Sequence, residues 1–224
     1  ILQGGLVDMR DVYTAKLSRL SDEVLEMGNL CGQAIMKTCQ LLASVEVREA
    51  ATKEIGRIEK EIDDKEHNIE ALCMQLLLKQ QPVGTDLRKI SAALKMVTDM
   101  ERIGDQASDI VENARYIQDN TYESNLHIRD MAEATMKMVT DSIDSFVKRD
   151  LELARKTMKE DDVVDELFNK VKTELIGLIG EDSSKGEMCL DLLMIAKYFE
   201  RIGDHATNIA EWVEYSITGV HIED

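Results

Sequence analysis

The sequence predicts an all-α protein: two tandem antiparallel three-helix bundles related by internal duplication. Three observations carry this. Strong helix formers fill the 224 residues, with aromatics at 4% and a single proline, Pro82. Apolar residues recur at helical spacing through long stretches, broken by only a few turn-rich segments. Finally, Glu-Arg-Ile-Gly-Asp at 101–105 returns at 200–204, and the agreement runs on through Ala107/Ala206, Ile110/Ile209 and Glu112/Glu211. The length suits one large domain or two of half that size.

The elements follow in order. The first helix starts near Asp8, with an apolar stripe from Leu17 through Leu20, Val24, Met27, Cys31 and Ile35 to Leu42; a break is expected at Ser44–Glu46. The second carries Ile55, Ile58, Ile62, Ile69, Leu72, Cys73 and Leu76. Residues 80–86 contain Pro82 and Gly84 and form the clearest loop, with Thr85 or Asp86 as candidate cap for a third helix reaching about Tyr116. Asp119-Asn120-Thr121 is turn-rich and marks the expected boundary, giving a first bundle over 1–120 and a second over 121–224. The second half repeats the plan: a helix to Lys148, a break at Arg149-Asp150, a helix to Ile179, a loop over 180–186 and a last helix to Ile217. Short connections favour antiparallel bundles.

The formal net charge of -17 repels phosphate backbones and argues against nucleic acid as a partner. Cys31, Cys39, Cys73 and Cys189 form no CxxC pair and fit reduced, buried thiols in a cytosolic protein. No run of 18 apolar residues suits a membrane span, and Ile1–Gly5 lack the features of a signal peptide.

The chemistry lies in acid pairs. Glu101/Asp105 and Glu200/Asp204 are each four residues apart, hence on one helical face. Matching pairs, Glu59/Asp63 and Asp161/Asp165, occur on the preceding helix of each half. Antiparallel neighbours can bring the pairs face to face. Four converging carboxylates repel one another, and their hard oxygens suit di- or trivalent cations. A network of protein salt bridges through Arg102 and Arg201 is the plainer alternative. Gly104 and Gly203, each in mid-helix, suggest close helix approach. His205 has Gln106 as its counterpart, which argues against a ligand role at both sites. Trp212, Tyr215 and Tyr198 suit either a partner-facing patch or packing between the halves. A ferritin-like di-iron centre needs Glu three residues before His, and none of the four histidines meets that. A metal-dependent hydrolase needs a substrate pocket with acid–base groups, for which there is no clear candidate.

These residues resemble the PhoU family, which repeats an E(D)xxxD motif pair in each of two three-helix bundles. Here the pattern is met by Glu59/Asp63 with Glu101/Asp105 and by Asp161/Asp165 with Glu200/Asp204; the run from Glu200 to Glu211 is especially typical. Asp109 stands where Asn208 stands in the second half. The resemblance implies a cytoplasmic, non-enzymatic accessory regulator of phosphate homeostasis, one that restrains phosphate uptake and starvation signalling. It also implies multinuclear iron or zinc clusters on the motif pairs. The implied partners are the ATPase of the phosphate ABC transporter and a sensor histidine kinase. Membrane association would be through these partners only, and the resemblance is compatible with a homodimer.

Overall fold

The computed structural model describes residues 9–43, 48–115, 117 and 126–220, and these form six long helices and no strand. They are α1 (Met9–Ala43), α2 (Arg48–Gln80), α3 (Gly84–Ala114), α4 (Ile128–Lys148), α5 (Leu151–Glu181) and α6 (Gly186–Thr218), with a single 3-10 turn at Ser183–Lys185 before α6. The expected breaks at Ser44–Glu46 and at Asp119–Thr121 lie outside the described residues.

Local chemistry explains the described junctions. Between α4 and α5 the chain reverses at Arg149, which is left-handed (φ 54°, ψ 44°), and the amide of Asp150 donates to Ser145 O at 2.9 Å. The Asp150 carboxylate then accepts from the Leu153 amide at 3.0 Å and caps α5. The start of α3 departs from the expected cap. Gln81 and Gly84 take positive φ, Val83 occupies the cap position, and no side chain closes it. Asp86 instead lies in the first turn, where the helix dipole favours an acid, and accepts from the Tyr13 hydroxyl at 3.1 Å. Burial and this acid together push the Tyr13 phenol up to about 12. At the far end Gly219 (φ 78°) lets its amide close α6 on Tyr215 O at 2.8 Å.

Each half is an antiparallel three-helix bundle, yet one continuous apolar core runs through both. The main contacts between the halves pair a helix with its own counterpart: α3 packs along α6, and α1 along α4. Ile103, Ala107 and Ile110 on α3 and Ile202, Ala206 and Ile209 on α6 are fully buried. Where α1 crosses α4 the approach is closest at Gly28: a Cβ there would stand 2.8 Å from Ile143. Buried hydroxyls on Thr38, Thr135, Ser142 and Ser145 donate to carbonyls three or four residues back, so they enter the core without an unmet donor. The cysteines behave as small apolar residues. Cys31, Cys73 and Cys189 are buried, Cys39 partly so, and all four are free thiols. Burial pushes Cys31 and Cys73 up to about 12 and Cys39 to about 11.

Candidate functional site

The acid pairs face one another in two grooves, one between α2 and α3 and one between α5 and α6. The duplicated glycines lie at the base of each. A Cβ on Gly104 would stand 3.1 Å from Ile62 Cδ1, and one on Gly203 would stand 3.4 Å from Val164 Cγ1 and 3.5 Å from Asp161 Oδ1. The expected close helix approach is present at Gly104; at Gly203 a Cβ would make ordinary van der Waals contact with Val164 and Asp161.

In the first groove, Glu101 on α3 is within electrostatic reach of Asp105 on its own helix and of Asp63 and Glu66 on α2. Burial, then the Asp105 charge, raises the Glu101 carboxyl above its ordinary range, with Arg102 opposing. Glu101 Oε2 is buried without a hydrogen bond, its nearest cation being Arg102 Nε at 3.4 Å. Arg102 also donates to Asp105 Oδ2 at 3.0 Å. Glu59 lies one turn away from this group and accepts from the Ser108 hydroxyl at 2.6 Å. Glu66 is similarly raised, by burial first and by Glu70 next.

In the second groove, Asp161 is the most perturbed acid. Burial, then the charges of Asp204 and Asp165, push it up to about 6; Glu200 adds to the rise. Thr207 Oγ1 is buried beside it and favours the charged form, though without a hydrogen bond of good geometry. Asp204 is raised by burial and by Glu200. Lys197 pairs with Glu200 and lies over the Phe168 ring, 5.6 Å from its centroid. All four predicted acids of this half therefore share one electrostatic neighbourhood. In the first half Asp63, Glu101 and Asp105 do so, and Glu59 sits at the edge on Ser108.

Three contributions escaped the sequence reading. Glu66 adds an acid to the first groove; it follows Glu59 by seven residues, two helical turns on the same face, which was the available signal. Ser108 and Thr207 are equivalent hydroxyls, each three residues beyond a motif aspartate and each facing the first acid of the opposite helix. Asp99 binds the opposite face, where α3 meets α6: its Oδ1 contacts His205 Nδ1 at 2.9 Å and accepts from Asn208 Nδ2 at 3.1 Å. Asp109, the counterpart of Asn208, is raised by burial, then by Asp105 and Glu112, with the Arg201 charge opposing. His205 thus works at the seam between the halves. Trp212 joins it there, stacked edge-on with Tyr215 at 5.8 Å and covered by Lys95 of α3 at 6.0 Å.

A family model, the PhoU domain, matches twice, over residues 24–114 and 128–213. The chain belongs to the PhoU family. It is 34% identical over 216 residues to the phosphate-specific transport system accessory protein PhoU homolog of Clostridium acetobutylicum, covering 96% of this chain and 98% of that one. It is 29% identical to the homolog of the same name from Pseudomonas aeruginosa, covering 94% and 87%. The crystal structure of PhoU from Pseudomonas aeruginosa superposes with a TM-score of 0.83 at 29% identity, covering 93% of this chain and all of the other. That of the regulatory protein PhoU from Streptococcus pneumoniae gives 0.82 at 23% identity, a likeness of fold. The two family-model matches coincide with the two halves of the PhoU fold described above.

The donor chemistry of both grooves fits a hard cation. The clustered groups are carboxylates, Glu101 Oε2 is buried without a hydrogen bond, and the cysteines belong to the core. Among the described residues no three acidic, histidine or cysteine side chains close on a single point, so the carboxylates would have to rotate inward to share an ion.

Proposed function

We propose that this chain is a non-enzymatic accessory regulator of phosphate transport. In this reading it restrains uptake by a phosphate ABC transporter and keeps starvation signalling off while phosphate is ample. The reading is supported by the family membership and by the names of the relatives at 34% and 29% identity, each a phosphate-specific transport system accessory protein. Among the described residues no helix is long and apolar enough to cross a membrane, which fits a cytoplasmic protein that reaches the membrane through the transporter ATPase and a sensor histidine kinase. A homodimer belongs to the same proposal.

The observation that carries the site is the convergence of like charges in each groove, clearest at Asp161, which three other acids surround. We assign Glu59, Asp63, Glu101 and Asp105 in one groove, and Asp161, Asp165, Glu200 and Asp204 in the other, as the residues that would hold metal ions. Bound iron or zinc would supply positive charge that offsets the repulsion and ties α2 to α3 and α5 to α6. An all-oxygen donor set suits iron(III) better than zinc. The residues of the chain orient these oxygens: Gly104 admits the close approach of α2 to α3, and Ser108 fixes Glu59.

The metal assignment is tested by elemental analysis of protein purified without chelator, against Asp105→Asn/Asp204→Asn. Loss of most bound metal is expected, and unchanged metal per chain refutes the assignment. A metal-free adaptor is favoured by the pairing of Arg102 with Glu101 and Asp105 and of Lys197 with Glu200; wild-type protein carrying no metal would establish it. The transport role is tested by phosphate uptake in cells lacking the gene, where uptake in phosphate-rich medium should rise and return to normal on complementation.

A further inference from the structure

The two grooves share a backbone plan but not a charge. Seven residues after Glu59 stands Glu66; seven after Asp161 stands Phe168. Three residues before Glu101 stands Thr98; three before Glu200 stands Lys197. In the second groove these two replacements meet across α5 and α6: the Lys197 ammonium lies over the Phe168 ring and pairs with the Glu200 carboxylate. It is also close enough to act on Asp204. In the first groove Thr98 is exposed and uncharged, and Glu66 adds a carboxylate beside Glu101 and Asp63. The cation there is Arg102, which pairs with Glu101 and Asp105 and is 55% exposed against 43% for Lys197, with no aromatic ring beneath it among the described residues. Its counterpart Arg201 is exposed, and its charge acts on Asp109 of α3. Glu59, Asp63, Glu66, Glu101 and Asp105 thus share Arg102 in the first groove, with Glu70 and His67 acting on Glu66 beyond them, and Asp161, Asp165, Glu200 and Asp204 share Lys197 in the second, with His205 acting on Asp204.

The geometry points to unequal grooves: Lys197, anchored on Phe168, is a resident cation of the α5–α6 groove that a metal ion must displace from Glu200, so this groove fills after the α2–α3 groove and empties before it. The inference rests on the reading that both grooves hold metal, and it adds which one responds to changes in metal supply. The aromatic ring gives the ammonium a position it keeps without the carboxylate, and a charge held there opposes an incoming cation through Coulomb repulsion. One elementary charge at such range is enough for about a tenfold change in affinity.

The experiment is calorimetric titration of the full chain, stripped of metal, with manganese(II). Wild type should bind in two phases. Glu101→Gln/Asp105→Asn should remove the tight phase and Glu200→Gln/Asp204→Asn the weak one. Lys197→Met keeps the packing on Phe168 and drops the charge; it should tighten the weak phase about tenfold and leave the tight phase alone. Glu66→Gln should weaken only the tight phase. Circular dichroism checks that each variant is folded. Equal affinities in wild type, or a weak phase unmoved by Lys197→Met, overturn this inference while leaving the metal reading intact. Wild type that binds no manganese overturns the metal reading, and the inference with it.

Discussion

Helix α3 carries acids on two faces, toward α2 and toward α6, and the faces differ in how charge is met. On the seam where α3 touches α6, Asp99 has His205 and Asn208, while Asp109 at its edge is raised by burial and by Asp105 and Glu112, with Arg201 opposing. In the grooves against α2 and α5, acids mainly face acids, and Asp161 and Glu101 sit above their ordinary carboxyl range because burial and like charges disfavour ionisation. Asp99 is met by the protein's own donors. The grooves retain an unmet demand for positive charge, and that difference, on one and the same helix, separates a structural acid from a binding one.

The sharpest way to break the contrast is Asp99→Ala. It leaves the His205 ring and the Asn208 amide without their acceptor between the halves, and should cost about 2 kcal/mol in urea denaturation. Asp161→Asn should act in the opposite direction in metal-free protein. Asp161 titrates at about 6 in the folded chain against an ordinary 3.8. Between those values the folded state holds a proton that the unfolded chain has released, so stability falls as pH rises through the window. The asparagine variant should flatten that slope and gain on the order of 1 kcal/mol at neutral pH, the partial exposure of the groove reducing the full linkage value. Ser108→Ala removes a charge-assisted hydrogen bond to Glu59 and should lose about 0.5–1 kcal/mol. Thr207→Val, at the equivalent position with no such bond, should move stability by less than about 0.5 kcal/mol; a loss equal to that of Ser108→Ala would show that the two grooves treat their hydroxyls alike.

The all-α fold and its duplication were legible because both live on single helices. A period of 3.6 residues marks a buried stripe such as Ile55–Ile58–Ile62, and a constant spacing of 99 aligns Glu101 with Glu200 without reference to any other part of the chain. Partners across helices were less legible, because the rotation of one helix against another decides which of two neighbouring acids looks inward. Asp63 reached Glu101 as expected, whereas Glu59 turned to Ser108 and Glu66 took a place beside Glu101. The same limit hid the seam: Asp99 has Tyr198 as its counterpart rather than another acid, so the repeat offers no cue to it. The start of α3 was misjudged at Thr85 or Asp86 because cap rules weigh side chains, while here the turn is made by the backbone of Gln81 and Gly84.

The pairing of α1 with α4 and of α3 with α6 across the shared core has an evolutionary reading. A half-length chain of this design carries a broad apolar face on its first and third helices, which only a second copy of that chain can cover in the same way. Such a contact is isologous, each copy offering the other the same surface. Gene fusion of two such copies would preserve the pairing while freeing each to diverge, and the replacement of Glu66 and Thr98 by Phe168 and Lys197 is the kind of specialisation that a self-associating ancestor, bound to keep both sides identical, had no means to acquire.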